Sequence, residues 1–482
     1  MIAVRDDDVW VGIDVGTQSA RVFAVTAGGE VAGSGTVALS SRREGERHEQ
    51  DPQAWWEAVA GASRAALDGL APGLVRGVAT CATSGTVLLV DRDGAPLTPG
   101  LMYDDGRAAE QAARIGLPPS WGLPKLVWML EAWPQLARGG ARLAHQADVI
   151  TRALVGRAVA ADASHALKSG YDVQRDAWPR DMHGVPGDLL PEVVRSGTRL
   201  GAVGAQAAEQ TRIPAGTPVI AGMTDGCAAQ FAAGALRAGD WNSVLGTTLV
   251  LKGYSARPVH DPGGVLYSHR APDGGWLPGG ASSTGAGVLT ARFPERDLDE
   301  LGRAAAAHEH TSVLAYPLLA RGERFPFMAP DAKAFMVGEP SGEAEHFAAL
   351  LQGVAFVERL CLDYVDLLGA PVDGELTLTG GATRSRRWCA LRADVLGRPV
   401  RLVEQSEAAF GMAILAAAAE RDPAPVARAM VRTSERIEPR PDHAAHLLRN
   451  YLLLLAELER RGWLGAPLAQ HARARAGGRN LG

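Results

Sequence analysis

Two stretches in opposite halves of the chain share one layout, and that repetition limits the fold more than any other feature. Val9–Ile13 and Arg21–Val25 are Val- and Ile-rich runs of strand type on either side of Asp14-Val15-Gly16-Thr17-Gln18-Ser19, and Gly28-Gly29 ends the second run as a hairpin turn. Ser243–Leu245 and Leu249–Leu251 flank Gly246-Thr247-Thr248 in the same way. Two similar lobes facing one ligand would produce such a repeat. Each turn offers backbone N–H and hydroxyl donors suited to phosphate. In the first, Gly16 allows close approach, Thr17 and Gln18 donate, and Asp14 can hold the hydration shell of a Mg²⁺ ion. The competing reading is a surface hairpin whose Asp14 and Thr17 bond their own turn.

The second hairpin is preceded by a segment with its own logic. Val219–Ala221 is a short apolar run set up by Pro214, Gly216 and Pro218, so a buried strand is expected there. Gly222–Gly226 then forms a turn carrying a lone acid, Asp225, and Ala228–Leu236 continues as an alanine-rich helix. An acid at that place suits a helix N-cap, and it equally suits a sugar hydroxyl beside a donor-rich turn.

Composition excludes several classes. A chain of 482 residues is too long for one core, so two domains or more are expected. A net charge of -5 gives no reason to expect nucleic acid or an anionic membrane. The acidic start MIAVRDDDVW has no signal-type apolar core, and the longest apolar run, residues 408–419, falls short of the roughly 18 residues of a span. Cys81, Cys227, Cys361 and Cys389 are scattered, which points to a reducing cytoplasm without a disulfide framework. His308 and His310 read as solvated residues, not metal ligands. No lysine follows a glycine in a phosphate-loop pattern, and the protein-kinase motifs are absent. The glycines at Gly33-Ser34-Gly35 lie in strand-type sequence with no helix after them, so they are not a dinucleotide fingerprint.

Other candidates are turns. Asp51 and Pro52 begin a helix carrying Trp55 and Trp56. Thr83-Ser84-Gly85-Thr86 is either a simple β-turn or a hydroxyl-binding wall. In Met102–Arg107, Asp105 and Arg107 suit bidentate bonds to a polyol, with helix capping as the alternative. Ser282–Gly285 is small enough for a nucleotide to lie against its backbone, or it is a packing turn. Gly380-Gly381-Ala382-Thr383, between a strand and a helix, makes an anion-binding corner. Asp162 and Ser164 read as solvated loop, Ala315–Pro326 as a proline-bounded loop, His443–Arg461 as a terminal amphipathic helix and Ala469–Gly482 as a frayed basic tail.

The Asp14–Thr17 turn, HEQDPQAWW, SGTVLLVDRDG, MYDDGRA and LPKLVWMLE around Lys125 follow the order and spacing of the FGGY carbohydrate kinases, and the chain resembles that family over roughly residues 9–440. The resemblance implies an α/β chain of two ribonuclease H-like lobes of the actin/hexokinase superfamily around a central cleft. Residues 1–238 would be the sugar-binding lobe, 239–440 the nucleotide-binding lobe, and 441–482 a terminal helix and basic tail. It implies phosphoryl transfer from ATP, with Mg²⁺, to a sugar hydroxyl. Asp225 would be the catalytic base, and Asp14 with Asp225 would hold Mg²⁺ through water. Thr83, Ser84, Asp105, Arg107 and Asp225 would face the sugar. Thr17, Gln18, Gly246, Thr247, Thr248, Gly285, Gly380, Gly381 and Ala382 would face the nucleotide. Asp14, Asp225 and the Thr247 turn are expected to converge.

Strings such as ATSGTVLLVD, GMTDGCAAQ and YPLLARGERFP look most like the D-ribulose kinase branch, and the Gln-Met-His-Gly turn usual in xylulose kinases is replaced by Thr83–Thr86. D-ribulose is therefore expected first and D-xylulose second, although Cys81-Ala82 stands where the ribulose branch often has Asp-Gly. The expected partners are sugar and ATP, with no nucleic acid and no membrane, and a homodimer is left open. A same-fold hydrolase and a non-catalytic sugar sensor are the readings from other classes.

Overall fold

A computed structural model describes residues 5–419 and 421–478; the start of the acidic N-terminus (1–4), Glu420 and the end of the basic tail (479–482) lie outside the described residues. The chain divides into two compact units. The first comprises Met1–Gly234, His269–Gly275 and Gln405–Arg432, and the second comprises Ala235–Ser268, Trp276–Glu404 and Thr433–Gly482. A cut at 238/239 and 440/441 does not describe this division, because residues 405–432 belong to the first unit and everything after 433 to the second.

In the first unit a six-stranded sheet runs Arg199–Ala202, Pro218–Ile220, Val75–Ala82, Val9–Val15, Ser19–Thr26, Val31–Ala38. The last three strands pair antiparallel, while Val75–Ala82 is parallel to both Val9–Val15 and Pro218–Ile220. The second unit repeats this order. Trp276–Ser282, Leu249–Gly253 and Trp241–Leu245 are antiparallel neighbours, and Leu376–Thr379 and Val400–Val403 follow in parallel. Both sheets have ribonuclease H-like topology, and in both the Gly-Thr turn joins the central strand to its antiparallel neighbour. The repeated hairpins in the sequence are thus the same corner of two similar sheets.

Small residues set the packing of the first sheet. Helix Pro52–Ala66 starts at Asp51, whose Oδ1 accepts the Gln53 N–H at 2.9 Å, and Trp55 is fully buried with its Nε1 donating to Gln50 Oε1 at 2.7 Å. That helix lies so close to strand Val31–Ala38 that a Cβ on Gly33 or Gly35 would stand 2.0 Å from the carbonyl of Ala66 or Ala62. These glycines serve packing. On the other face, helix Ala408–Ala417 presses on Gly12 of the central strand.

A smaller five-stranded sheet, Arg42–Glu44, Arg47–Gln50, Gly100–Leu101, Val87–Val90, Arg142–His145, also belongs to the first unit. In the second unit, helix Glu343–Leu367 is buried along most of its length. The expected terminal helix is Pro441–Arg460. The expected frayed tail is a correction: Ala466–Gly478 is a helix, with Leu468, Ala469 and Ala472 in the unit's core. Its alanines make a stripe narrow enough to pack on helix Glu343–Leu367, and its basic residues bond that helix's acids, His471 Nε2 to Asp366 at 2.7 Å and Arg475 Nη1 to Asp363 at 3.2 Å. Among the described residues no helix is long and apolar enough to cross a membrane.

Candidate active site

The first unit gathers its acids at the C-terminal ends of its parallel strands, the side where open α/β sheets receive ligands. Asp14 is the penultimate residue of strand Val9–Val15 and lies in register with Cys81, whose Sγ is 3.5 Å from Asp14 Oδ1. The next strand position, Ala82, forms a parallel bridge with Thr224. Asp225 follows as the first residue of helix Asp225–Ala232. Thr224 takes the N-cap position, so Asp225 is not the cap that its sequence context allows. Asp225 is exposed, and among the described residues its Oδ1 accepts its neighbour's N–H, Gly226 N at 2.7 Å.

Burial first, then the Asp225 charge and to a smaller extent Glu407, raise the Asp14 carboxyl to about 7 against the lowering action of the Cys81 thiol and Arg21. Arg21 is ion-paired with Glu407 and so only partly neutralises the cluster. The turn after Asp14 is closed by Gly16 N donating to Ser19 O at 3.0 Å, and among the described residues no bond from its own side chains closes it. Gln50 Nε2 donates to the Thr17 carbonyl at 2.7 Å and fixes the turn from behind. Two neighbouring carboxylates with too little counter-charge fit a hydrated Mg²⁺, which takes one or two carboxylates and fills its shell with water and phosphate. Among the described residues no group of three or more His, Cys, Asp or Glu side chains is placed to hold a metal by itself.

Sequence reasoning missed the support behind Asp225. Asp162 and Ser164 are not solvated loop: both are buried. Asp162 caps helix Ala163–Leu167, its Oδ1 accepting Ser164 N at 2.9 Å and Ser164 Oγ at 2.5 Å, while its Oδ2 pairs with His165 Nδ1 at 2.5 Å. Ser164 Oγ in turn accepts the Thr224 N–H at 2.9 Å, one residue before Asp225, and His165 Nε2 reaches the Ala82 carbonyl at 3.3 Å. The cluster therefore grips both sides of the Ala82–Thr224 bridge. The only signal in the sequence was an Asp with a Ser two positions later, the spacing of a helix cap.

Burial opposes a charged His165, but Asp162 overrides it and raises the imidazole to about 9, with Asp148 adding to the effect. Burial likewise acts to raise Asp162, and His165, Ser164 and His145 hold it below its ordinary value. A raised histidine stabilises the fold fully below its ordinary pKa of 6.5, and that stability is lost as pH climbs through about 9. Asp162 contributes above 3.8 and loses its contribution as pH falls through its lowered value. The melting temperature should accordingly fall as pH rises from 6.5 to about 9, by a stability change on the order of 1–3 kcal/mol. His165→Asn should flatten that limb of the profile; an unaltered limb in the variant would refute the assignment.

The sugar candidates meet on one side of the small sheet. Thr83 Oγ1 is committed to Gln146 Oε1 at 2.7 Å and to Thr86 Oγ1 at 2.6 Å, whereas the buried Ser84 Oγ has no bond within the described residues. Asp105 accepts the His48 N–H at 2.8 Å and the Arg107 guanidinium at 2.8–3.2 Å, and Arg107 also pairs with Glu49 at 2.7 Å. Asp105 and Arg107 are thus bonded to each other, and neither caps the helix Ala109–Ile115 that follows. Lys125, buried and lowered by burial to about 7, donates to Gly85 O at 3.0 Å and Tyr103 O at 2.9 Å, tying the Thr83–Thr86 turn to the Met102–Arg107 loop.

The second unit brings its predicted nucleotide residues to one corner. A Cβ on Gly285 would stand 2.3 Å from the Thr247 carbonyl, and one on Gly380 would stand 2.6 Å from the Leu245 carbonyl. Ala286 N donates to Gly246 O at 2.8 Å and Gly287 N to Thr247 O at 3.2 Å. Gly380, at φ +87°, opens the short helix Gly381–Arg384 that carries Ala382. Gly246 and Gly381 have open space where a Cβ would be. Gly246–Thr248, Gly285 and Gly380–Ala382, separated in sequence, therefore share one end of one sheet.

The FGGY family of carbohydrate kinases, N-terminal domain, matches residues 9–116 and 110–232, and the family's C-terminal domain matches residues 241–420. The chain belongs to this family. It is a sugar kinase, and several of its relatives are xylulose kinases. It is 29% identical over 446 residues to the xylulose kinase of Streptomyces rubiginosus, covering 87% of this chain and 90% of that one. With the xylulose kinase of Escherichia coli K12 it shares 26% over 430 residues, 81% of this chain and 85% of that one. The crystal structure of xylulose kinase from Rhodospirillum rubrum superposes with a TM-score of 0.84 at 26% identity, over 93% of this chain and 99% of that one.

Proposed function

We propose that the chain transfers the γ-phosphoryl group of ATP to a hydroxyl of D-xylulose, with D-ribulose as the second ketopentose. The sequence strings put D-ribulose first; the names of the relatives favour the D-xylulose alternative. The observation that carries the reading is Asp225, exposed at a helix N-terminus and beside a second carboxylate at the parallel strand ends. Asp225 takes the proton of the acceptor hydroxyl as the new O–P bond forms, and ADP leaves with the electrons of the broken bond. Asp14, with Asp225, would hold Mg²⁺ through water, and the ion would supply charge neutralisation at the phosphates. Thr17, Gln18, Gly246, Thr247 and Thr248 donate to the phosphates; Gly285, Gly380, Gly381 and Ala382 leave room for the rest of the nucleotide. Thr83, Ser84, Asp105 and Arg107 shape the sugar side, with the Ser84 hydroxyl free to donate. The cysteines are free thiols, which supports a cytoplasmic location.

A coupled ADP-release assay with MgATP and a panel of D-xylulose, D-ribulose, L-ribulose, gluconate and glycerol tests this reading. D-xylulose should give the highest kcat/KM, and leaving out the sugar should leave only slow hydrolysis. ADP release independent of any sugar would point to the hydrolase, and none at all to the sensor.

A further inference from the structure

The loop Ala315–Pro326 has no chemistry in the reading of the sequence, yet it holds a buried carboxylate with a dense set of hydrogen bonds. Glu323 is 1% exposed. Its side chain accepts Ser282 Oγ at 3.0 Å, Ser283 N at 2.7 Å, Tyr316 Oη at 2.9 Å and Arg324 N at 2.9 Å, with Thr284 Oγ1 and Phe325 N each at 3.4 Å. All of these donors are neutral, since the Arg324 guanidinium turns away to the Ala281 carbonyl at 2.9 Å. A buried carboxylate without a cation survives only when hydrogen bonds saturate it.

Half of this donor set comes from one short segment, Ser282 to Thr284. The next residue is Gly285, which rests on the Thr247–Thr248 backbone, and Leu249 N donates to Thr284 O at 2.7 Å. The segment is thus held between Glu323 on one side and the Gly246–Thr248 turn on the other. The turn itself is closed by the backbone bond Gly246 N to Thr248 O at 3.1 Å, and Ala286 N and Gly287 N support it by donating to Gly246 O and Thr247 O.

We infer that Glu323 is a positioning residue for the nucleotide: it fixes Ser282–Gly285, and through that segment it fixes the shape of the Gly246–Thr248 turn that receives the ATP phosphates. The inference rests on the proposal that this corner binds the nucleotide. Glu323 touches no substrate and acts only through the segment it holds.

Glu323→Gln keeps the shape but replaces one acceptor oxygen by an NH₂ group that must face a donor. Steady-state kinetics should show KM for ATP raised roughly tenfold, the size expected for losing a charge-assisted hydrogen bond. KM for the sugar should stay within about twofold. Ser282→Ala and Thr284→Val remove donors from the segment and leave the carboxylate in place, so they test the same link should Glu323→Gln fold poorly; each should raise KM for ATP by about threefold. Thr247→Ala separates the two layers of the argument. If it raises KM for ATP while the Glu323, Ser282 and Thr284 variants do not, the positioning role is wrong and the turn's role stands. If Thr247→Ala leaves KM for ATP and the affinity for MgADP unchanged, the nucleotide reading of the corner is itself wrong. A rise shared equally by both substrates would mark Glu323 as merely structural and overturn the inference.

Discussion

Asp225→Asn should lower kcat by roughly 10²–10⁴-fold, the contribution of a positioned general base. The variant should still bind MgADP, and it should fold. Asp225 is exposed, and its bond to Gly226 N at 2.7 Å can be kept by an Asn Oδ1. Its cost in stability should stay within about 0.5 kcal/mol, as for other surface substitutions. A companion effect has a definite sign. With the Asp225 charge gone, the Asp14 carboxyl should fall from about 7, because that charge helps to hold it there. Purified variant and wild type would be compared by ADP release, nucleotide titration and thermal melting. Turnover near the wild-type rate would exclude Asp225 as the base, whatever else it does.

The second large effect is expected in the packing behind the helix that begins at Asp225. Helix Ala408–Ala417 lies between the central strand of the first unit and helix Asp225–Ala232, and it reaches both through missing side chains. A Cβ on Gly12 would stand 1.8 Å from the Ala409 carbonyl, and one on Gly411 would stand 1.9 Å from the Ala228 carbonyl. Both obstacles are backbone, so no rotamer change relieves them. Gly411→Val should cost about 3 kcal/mol or more, the upper range for overpacking, and lower the melting temperature by roughly 5 °C. Because the displaced helix begins at Asp225, kcat should fall with stability. Gly73, with open space around its Cβ position, is the control: Gly73→Ala should change neither. A Gly411→Val protein with wild-type melting would mean that the two helices do not meet as described.

Local chemistry made the hairpins legible. The turns at Gly16-Thr17 and Gly246-Thr247 announce themselves through strand propensity and glycine placement, both of which act within a few residues. The glycines at 285 and 380 were legible for the same reason, and the structure adds that they press against the Thr247 turn and the end of its strand. Asp162, Ser164 and Glu323 were not legible. Each read as ordinary loop, because the groups that give it meaning, Thr224 for Ser164 and Ser282–Thr284 for Glu323, are far away in sequence. The C-terminal helix was misjudged on the same ground: alanines mixed with arginines look solvated until helix Glu343–Leu367 is there to receive the alanine stripe.

The sequence by itself determined that two similar sheets exist, where their corner turns lie, and that a lone acid opens the helix after Val219–Ala221. Those are properties of backbone preference and short-range pattern. Only the tertiary structure decided that residues 405–432 complete the first unit, that Asp225 stays exposed while Asp105 is bonded to Arg107, and that a buried Asp–Ser–His cluster stands behind Thr224. The physical reason is that burial, charge pairing and hydrogen-bond satisfaction depend on which groups arrive from elsewhere in the chain, and no window of local sequence contains them.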